Sequence, residues 1–191
     1  MKIVITGNIG CGKSTATRVI HRMLPDYYLF DFDHVVASLY SDEIVRMQLI
    51  NAFGTADKGQ ISDIVHADQK AMLKLRSITD AAILTAIYSA NKRVDVIFDI
   101  PLYFEFNDLM RLNPDAVICV TADEASQIER VKARSGFSEE KIRSIIAKQL
   151  PQDEKVARSD YLLHNDAPSA EVFEQDVAEF IVFHQNFGFL R

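Results

Sequence analysis

An α/β fold, built as a parallel sheet with helices on both faces, is predicted by three features of the sequence. Short apolar, β-branched runs alternate with segments whose apolar residues recur at helical spacing. The strand runs are apolar along most of their length, as strands buried on both faces are. A glycine-rich loop, residues 7–14, joins the first such run to the first helical segment.

Taken in order, residues 2–6 read as a buried strand and residues 14–24 as a helix, with Ala16, Val19, Ile20, Met23 and Leu24 at helical spacing and Pro25 at its end. Residues 28–31 read as a second strand closing on acids. Residues 35–53 carry one helical pattern, 54–61 a turn with two glycines, and 67–90 another helix. Residues 94–100 form the next strand, which Pro101 ends, and residues 116–120 a fourth. Thr121-Ala122-Asp123-Glu124 reads as a capping box for a helix toward Arg134. Ser135-Gly136 ends that helix, Ser138 caps another, and Leu150-Pro151 closes it. Residues 161–163 form a last strand and 170–183 a last helix. The expected organisation is one unit: a core of residues 1–33, 94–121 and 151–191, a helical insertion at 34–93, and a second helical insertion at 122–150.

Composition bounds the function. A chain of 191 residues with 48% hydrophobic and 25% charged residues suits one ordinary globular domain. The formal net charge of -6 argues against nucleic-acid or membrane-surface binding, which would show basic stripes. The two cysteines, Cys11 and Cys119, lack metal-like spacing and suit a reducing cytosol, and no signal peptide or membrane span is read. The five histidines, 21, 34, 66, 164 and 184, are scattered without metal spacing. The phenylalanines at 180, 183, 187 and 189 read as core packing.

The loop Gly7-Asn8-Ile9-Gly10-Cys11-Gly12-Lys13-Ser14 satisfies G-x-x-x-x-G-K-[ST] between a strand and a helix, the context that confirms a phosphate-binding P-loop. Its glycines let backbone N–H groups converge on phosphate oxygens, and the helix N-terminus adds its positive end. Gly7, Asn8, Gly10, Cys11, Gly12, Lys13, Ser14 and Thr15 are therefore expected to bind ATP or GTP. Lys13 should reach the β- and γ-phosphates, and Ser14 should ligate magnesium. Cys11 is read as a small residue filling a variable loop position. The motif does not identify the acceptor, since GTPases, motor ATPases and small-molecule kinases share it. A nucleotide-dependent regulator is the contrasting reading, although the N-K-x-D signature of GTPases is absent.

Two further groups bear on the acceptor. Asp31 and Asp33 stand at the carboxyl end of the second strand, where open α/β sheets place ligands. One could deprotonate an acceptor hydroxyl, or could cap the helix starting near Val35; alternation favours Asp33 as the base. Gln127, Arg130 and Arg134, spaced i, i+3, i+7, share a helical face that is either solvated or a lid that neutralises transferring phosphate. Asp99 is either a magnesium partner or an acid in a turn before proline.

The chain resembles the dephospho-CoA kinase family. The likeness runs through the loop 6–15, Asp31-Phe32-Asp33, Phe53-Gly54, Asp99-Ile-Pro-Leu-Tyr-Phe-Glu105, Gln127-x-x-Arg130-x-x-x-Arg134-x-Gly136, Gln149-x-Pro151, Lys155, Ser159-Asp160 and Asn165. It implies ATP- and magnesium-dependent phosphorylation of the ribose 3′-hydroxyl of dephospho-CoA in a cytoplasmic, monomeric enzyme of coenzyme A biosynthesis. By the same resemblance Asp33 is the general base, 34–93 holds the acceptor, 122–150 is the lid, Arg134 and Arg130 serve the phosphates, and Asp99 and Ser14 the metal. Departures cluster in the acceptor-binding insertion. Asp63 stands where the family's G-x-L-x-R has its arginine, the turn between Gly54 and Gly59 is short, and Asp80-Ala81 replaces a His-Pro pair. Losing a cation beside a polyanionic acceptor costs roughly 1–3 kcal/mol. A nucleoside or (deoxy)nucleoside monophosphate kinase with a remodelled acceptor pocket is the alternative.

Overall fold

A computed structural model describes the fold of residues 1–167, 169–186 and 188, and the side chains of all of these except 66 and 107–110. Phe187 and Phe189 lie outside the described residues. The chain divides into two compact units, residues 1–30 with 93–191, and residues 31–92.

The first unit is built on five strands, β1 (Lys2–Thr6), β2 (Tyr28–Asp31), β3 (Val96–Asp99), β4 (Ala116–Thr121) and β5 (Tyr161–His164), in the order β2-β3-β1-β4-β5. The pairings β1·β3, β1·β4 and β4·β5 are parallel, with Ile5 opposite Asp99 and Thr6 opposite Cys119. Parallel strands need crossovers, and the crossover helices bury both faces, which is why β3 and β4 are buried at every position. Helices α1 (Lys13–Met23) and α10 (Ala170–Asn186) pack together. Val19, Ile20, Phe173, Val177 and Ile181 from them join Ile3, Ile5, Ile97, Ile118 and Val120 of the sheet in one core. Cys119 points the other way, toward Lys155 of α9 (Gln152–Ala157) and Ser159 just beyond it. The predicted fold class is thus the observed one.

The second unit is all helical: α2 (Phe32–Leu39), α3 (Glu43–Phe53), α4 (Lys58–Ala67) and α5 (Gln69–Asn91). Val45, Leu49, Ile61 and Val65 form its buried centre, with Phe53, Leu75 and Ile78 packed around them. The single helix expected over 35–53 is two. Tyr40 and Ser41 leave the helix, and Asp42 starts the next by accepting from Val45 N–H at 3.0 Å. The expected turn at 54–61 holds the start of α4, capped by Asp57 on Gln60 N–H at 2.8 Å. Gly59, which suggested a turn, sits in that helix's first turn.

Helices α6 (Tyr103–Met110) and α9 are not anticipated by the sequence patterns, and α7 (Glu124–Ser135) and α8 (Glu139–Ile146) make up the 122–150 segment. The cap of α7 is Asp123, which accepts from Ser126 N–H at 2.9 Å, and the Thr121 expected to open a capping box ends β4 instead. Helix α8 stops at Ile146, short of the expected Leu150, so residues 147–150 are free to make other contacts.

Phe98 of β3 is fully buried with its ring 5.5 Å from that of Phe30 in β2. Phe98→Ala should cost about 3–5 kcal/mol of stability, read as a lowered urea midpoint, because the sheet cannot collapse into the space left.

Candidate active site

The order β2-β3-β1-β4-β5 fixes where a ligand can sit. The chain leaves β1 to cross toward β3 and β2 and later returns on the other side through β4, so the crevice beyond the carboxyl end of β1 is the switch point of the sheet. Residues 7–12 fill it. They lead into α1, whose N-cap Gly12 supplies no side chain and whose first turn holds no acid. Thr15 N–H donates to Gly12 O at 3.0 Å, and the positive end of α1 is otherwise left to an anion.

The loop's outward groups are held by side chains from elsewhere in the unit. Ile9 N–H donates to Gln149 Oε1 at 3.0 Å, and Asn8 Nδ2 donates to Leu150 O at 3.3 Å. Arg130 donates to Gly10 O at 3.4 Å and, through its other nitrogen, to Asn165 O and Oδ1 at 3.2 Å each. Asn165 Nδ2 donates to Cys11 O at 3.0 Å. Two glycines make this closeness possible. A Cβ on Gly10 (φ +78°) would lie 2.5 Å from Gln127 O, and one on Gly12 (φ +96°) would collide with Asn165 Nδ2.

Lys13 and Asp99 are brought together as an ion pair, both side chains nearly buried. Ser14 is exposed at the start of α1, and Thr15 is half-buried. A cavity of about 460 Å³ opens beside the loop, bounded by Gly12, Thr15, Ser126, Arg130, Asn165 and Phe173. Gly7 and Asn8 are buried under the loop. Cys11 is buried too, with its Sγ facing the Gly7 side and its N–H donating to Asn8 O at 3.3 Å.

The face carrying Gln127, Arg130 and Arg134 is not uniformly solvated. Gln127 is buried and donates from Nε2 to Ala122 O at 2.7 Å, Arg130 is half-buried against the loop, and Arg134 is exposed beside Ser135. Helices α7 and α8 share a small core of Ile128, Val131 and Ile142, against which Ile9 of the loop also packs.

The second unit contains Asp33. Helix α2 begins at Phe32, earlier than expected, and its cap is Asp31, which accepts from His34 N–H at 2.9 Å. Asp33 is therefore neither a strand residue alternating with Asp31 nor a cap. It lies exposed in the first turn of α2. In the same unit Asp80, where the family has histidine, pairs with Arg76 at 3.1 Å.

Sequence reasoning quoted Gln149, Asn165, Glu105 and Lys155 as motif residues without giving them work. Lys155 is fully buried and pairs with Glu105 Oε1 at 2.8 Å, and the same oxygen accepts from Leu150 N–H at 3.0 Å. The helix of Lys155, α9, is mostly polar in sequence and gives no local signal of that burial.

Burial pushes the Cys11 and Cys119 thiols up to about 11, against partial opposition from Lys13 and Lys155. Both should stay protonated, and so unreactive, through neutral pH. Native protein should resist iodoacetamide at pH 8, with both thiols reacting in urea, as mass spectrometry would show.

Comparison with known proteins places these features. The family model described as Dephospho-CoA kinase matches residues 1–171. The dephospho-CoA kinase of Rhizobium meliloti is 33% identical over 91% of this chain and 92% of its own length, and that of Aquifex aeolicus 30% identical over 91% and 93%. Among solved structures, TT1252 of Thermus thermophilus superposes with a TM-score of 0.78 at 26% identity, covering 97% of each chain. Shikimate kinase from Acinetobacter baumannii shares the fold alone, with a TM-score of 0.58 at 13% identity over 96% of this chain and 93% of its own. With its model match spanning most of the residues, this chain belongs to the dephospho-CoA kinase family.

Proposed function

We propose that the chain transfers the γ-phosphoryl group of ATP to the ribose 3′-hydroxyl of dephospho-CoA, giving coenzyme A and ADP. The observation that carries this reading is the Lys13–Asp99 pair at the sheet's switch point, directly below an uncapped helix N-terminus. Backbone N–H groups of the loop and of the start of α1, with the Lys13 ammonium, bind the β- and γ-phosphates. The cavity beside Thr15 and Arg130 takes the nucleoside, for which about 460 Å³ is ample.

The acceptor is held by the helices of the second unit, and Asp33 takes the proton of its 3′-hydroxyl. That oxygen bonds to the γ-phosphorus while the bond to the bridging oxygen breaks and ADP leaves. Asp33 is suited to this by exposure, since Asp31 already fills the capping role. Arg134, exposed at the end of α7, neutralises the transferring group as the 122–150 segment closes.

The donor set also fits magnesium. Ser14 offers a hydroxyl and Asp99 a carboxylate, hard oxygen ligands of the kind Mg²⁺ combines with phosphate oxygens and water. No group of three metal-binding side chains occurs among the described residues, and a cation held mainly through phosphates needs none. When bound, the ion would neutralise charge on the phosphates. Monomeric action in a reducing cytoplasm, as a step of coenzyme A synthesis without nucleic-acid or membrane partners, completes the proposal. It is supported by the free cysteines and the net charge of -6.

A second reading is favoured by the acids Asp63 and Asp80 in the acceptor-holding unit, which suit an acceptor with less negative charge, such as a nucleoside. Purified protein with magnesium and ATP should release ADP with dephospho-CoA and not with a nucleoside and nucleotide panel; the reverse pattern would transfer the assignment to the second reading. In the same assay Asp33→Asn should bind ATP normally yet lose at least about 100-fold in turnover, the scale of a lost general base. Lys13→Ala should abolish transfer and also lower the melting temperature, because Asp99 is left buried without its partner. Adding Asp99→Asn should recover the stability and none of the turnover.

A further inference from the structure

We infer that Gln149 is a positioning residue for phosphoryl transfer, acting through the Asn8-Ile9 peptide of the phosphate loop. The inference rests on the reading that this loop holds the donor phosphates.

Residues 147–150 lie between α8 and α9 and are fixed from three directions. Lys155, fully buried, holds Glu105, and Glu105 Oε1 accepts from Leu150 N–H at 3.0 Å. Leu150 O accepts from Asn8 Nδ2 at 3.3 Å, and Gln149 Oε1 accepts from Ile9 N–H at 3.0 Å. Gln152, at the start of α9, reaches across to residue 122. Its Oε1 accepts from Ala122 N–H at 3.2 Å and its Nε2 donates to Ala122 O at 3.0 Å. The two stems of the 122–150 segment are thereby tied to each other, and one of them is tied to the loop.

Gln149 is the member of this network that touches the loop backbone itself. On the opposite side Arg130 holds Gly10 O at 3.4 Å. The loop is thus gripped at two peptides, Asn8-Ile9 through the Ile9 N–H and Gly10-Cys11 through the Gly10 carbonyl, from two separate elements. Its orientation decides where the following N–H groups point. Removing the Gln149 grip frees the Asn8-Ile9 peptide to tilt while the helix N-terminus and Lys13 remain to bind phosphate. The loss should therefore fall on transfer, which depends on sub-ångström placement, more than on affinity.

Gln149→Leu removes the acceptor at nearly constant volume, whereas Gln149→Glu keeps an oxygen that accepts from Ile9 N–H. The wild-type protein is first shown to bind ATP and to phosphorylate dephospho-CoA; failure there overturns the proposed function itself. For Gln149→Leu, kcat should fall by about 10- to 100-fold while the calorimetric Kd for ATP changes by no more than about threefold. Gln149→Glu should recover most of kcat. A fully active Gln149→Leu, an equal loss in both variants, or a Kd that weakens in step with kcat overturns this inference alone. So does a loss accounted for by unfolded protein in both Gln149→Leu and Gln149→Met, read by melting temperature and nucleotide-site titration. Gln149→Met, unbranched and also without the acceptor, replaces the leucine variant should that one not fold.

Discussion

A loop that turns its N–H groups inward to meet phosphate must leave its other polar groups facing the protein, where each needs a partner. This requirement organises the first unit. Asn8, Ile9, Gly10 and Cys11 each send a donor or acceptor outward, and Leu150, Gln149, Arg130 and Asn165 meet them. Those partners come from α7, the α8–α9 connection and the segment after β5, so three distant stretches of chain converge on one turn. The sheet order makes the convergence possible, because the strands neighbouring β1 deliver their following segments to the same edge.

The same constraint explains which parts of the site were legible in the sequence. The loop was, because its chemistry is local: two glycines and a Lys-Ser pair at fixed offsets, between a strand and a helix, admit few other structures. The strand pattern was, because burial on both faces leaves an unbroken apolar run. Gln149 was not, since a polar residue after a helix has no pattern of its own; its role comes from Ile9, 140 residues away. The ion pair of Lys155 and Glu105 was hidden for a similar reason. Nothing near Lys155 in the sequence signals that it is fully buried, and its partner stands 50 positions earlier.

Boundaries failed where side-chain hydrogen bonds overrode periodicity. From Val35 to Phe53 the apolar spacing continues through the break, and only the carboxylate of Asp42 reveals it. Asp31 and Asp33 show the opposite error. Strand alternation paired them, but Asp31 caps a helix that starts at the next residue, so their side chains answer to helical geometry. That reassignment takes the capping role from Asp33 and places Asp33 in the first turn of α2, where an acid also suits the helix dipole.

Electrostatics poses the remaining problem, since a chain of net charge -6 must hold two polyanionic substrates. Backbone N–H groups answer part of it: they attract phosphate without adding net charge, so the global sign of the protein matters little at the loop. Lys13 answers less than it first suggests, because its charge is already matched by Asp99. When a triphosphate approaches, the ammonium can turn toward it only by loosening its hold on that carboxylate. Asp99 would then face the phosphates as a like charge in a poorly solvated place, a costly arrangement. On the proposed reading Asp99 would help to hold magnesium, whose charge would remove that cost and leave Lys13 to the donor. The proposed metal would then answer to this pairing: the carboxylate that holds the lysine without nucleotide is the one that must be neutralised with it.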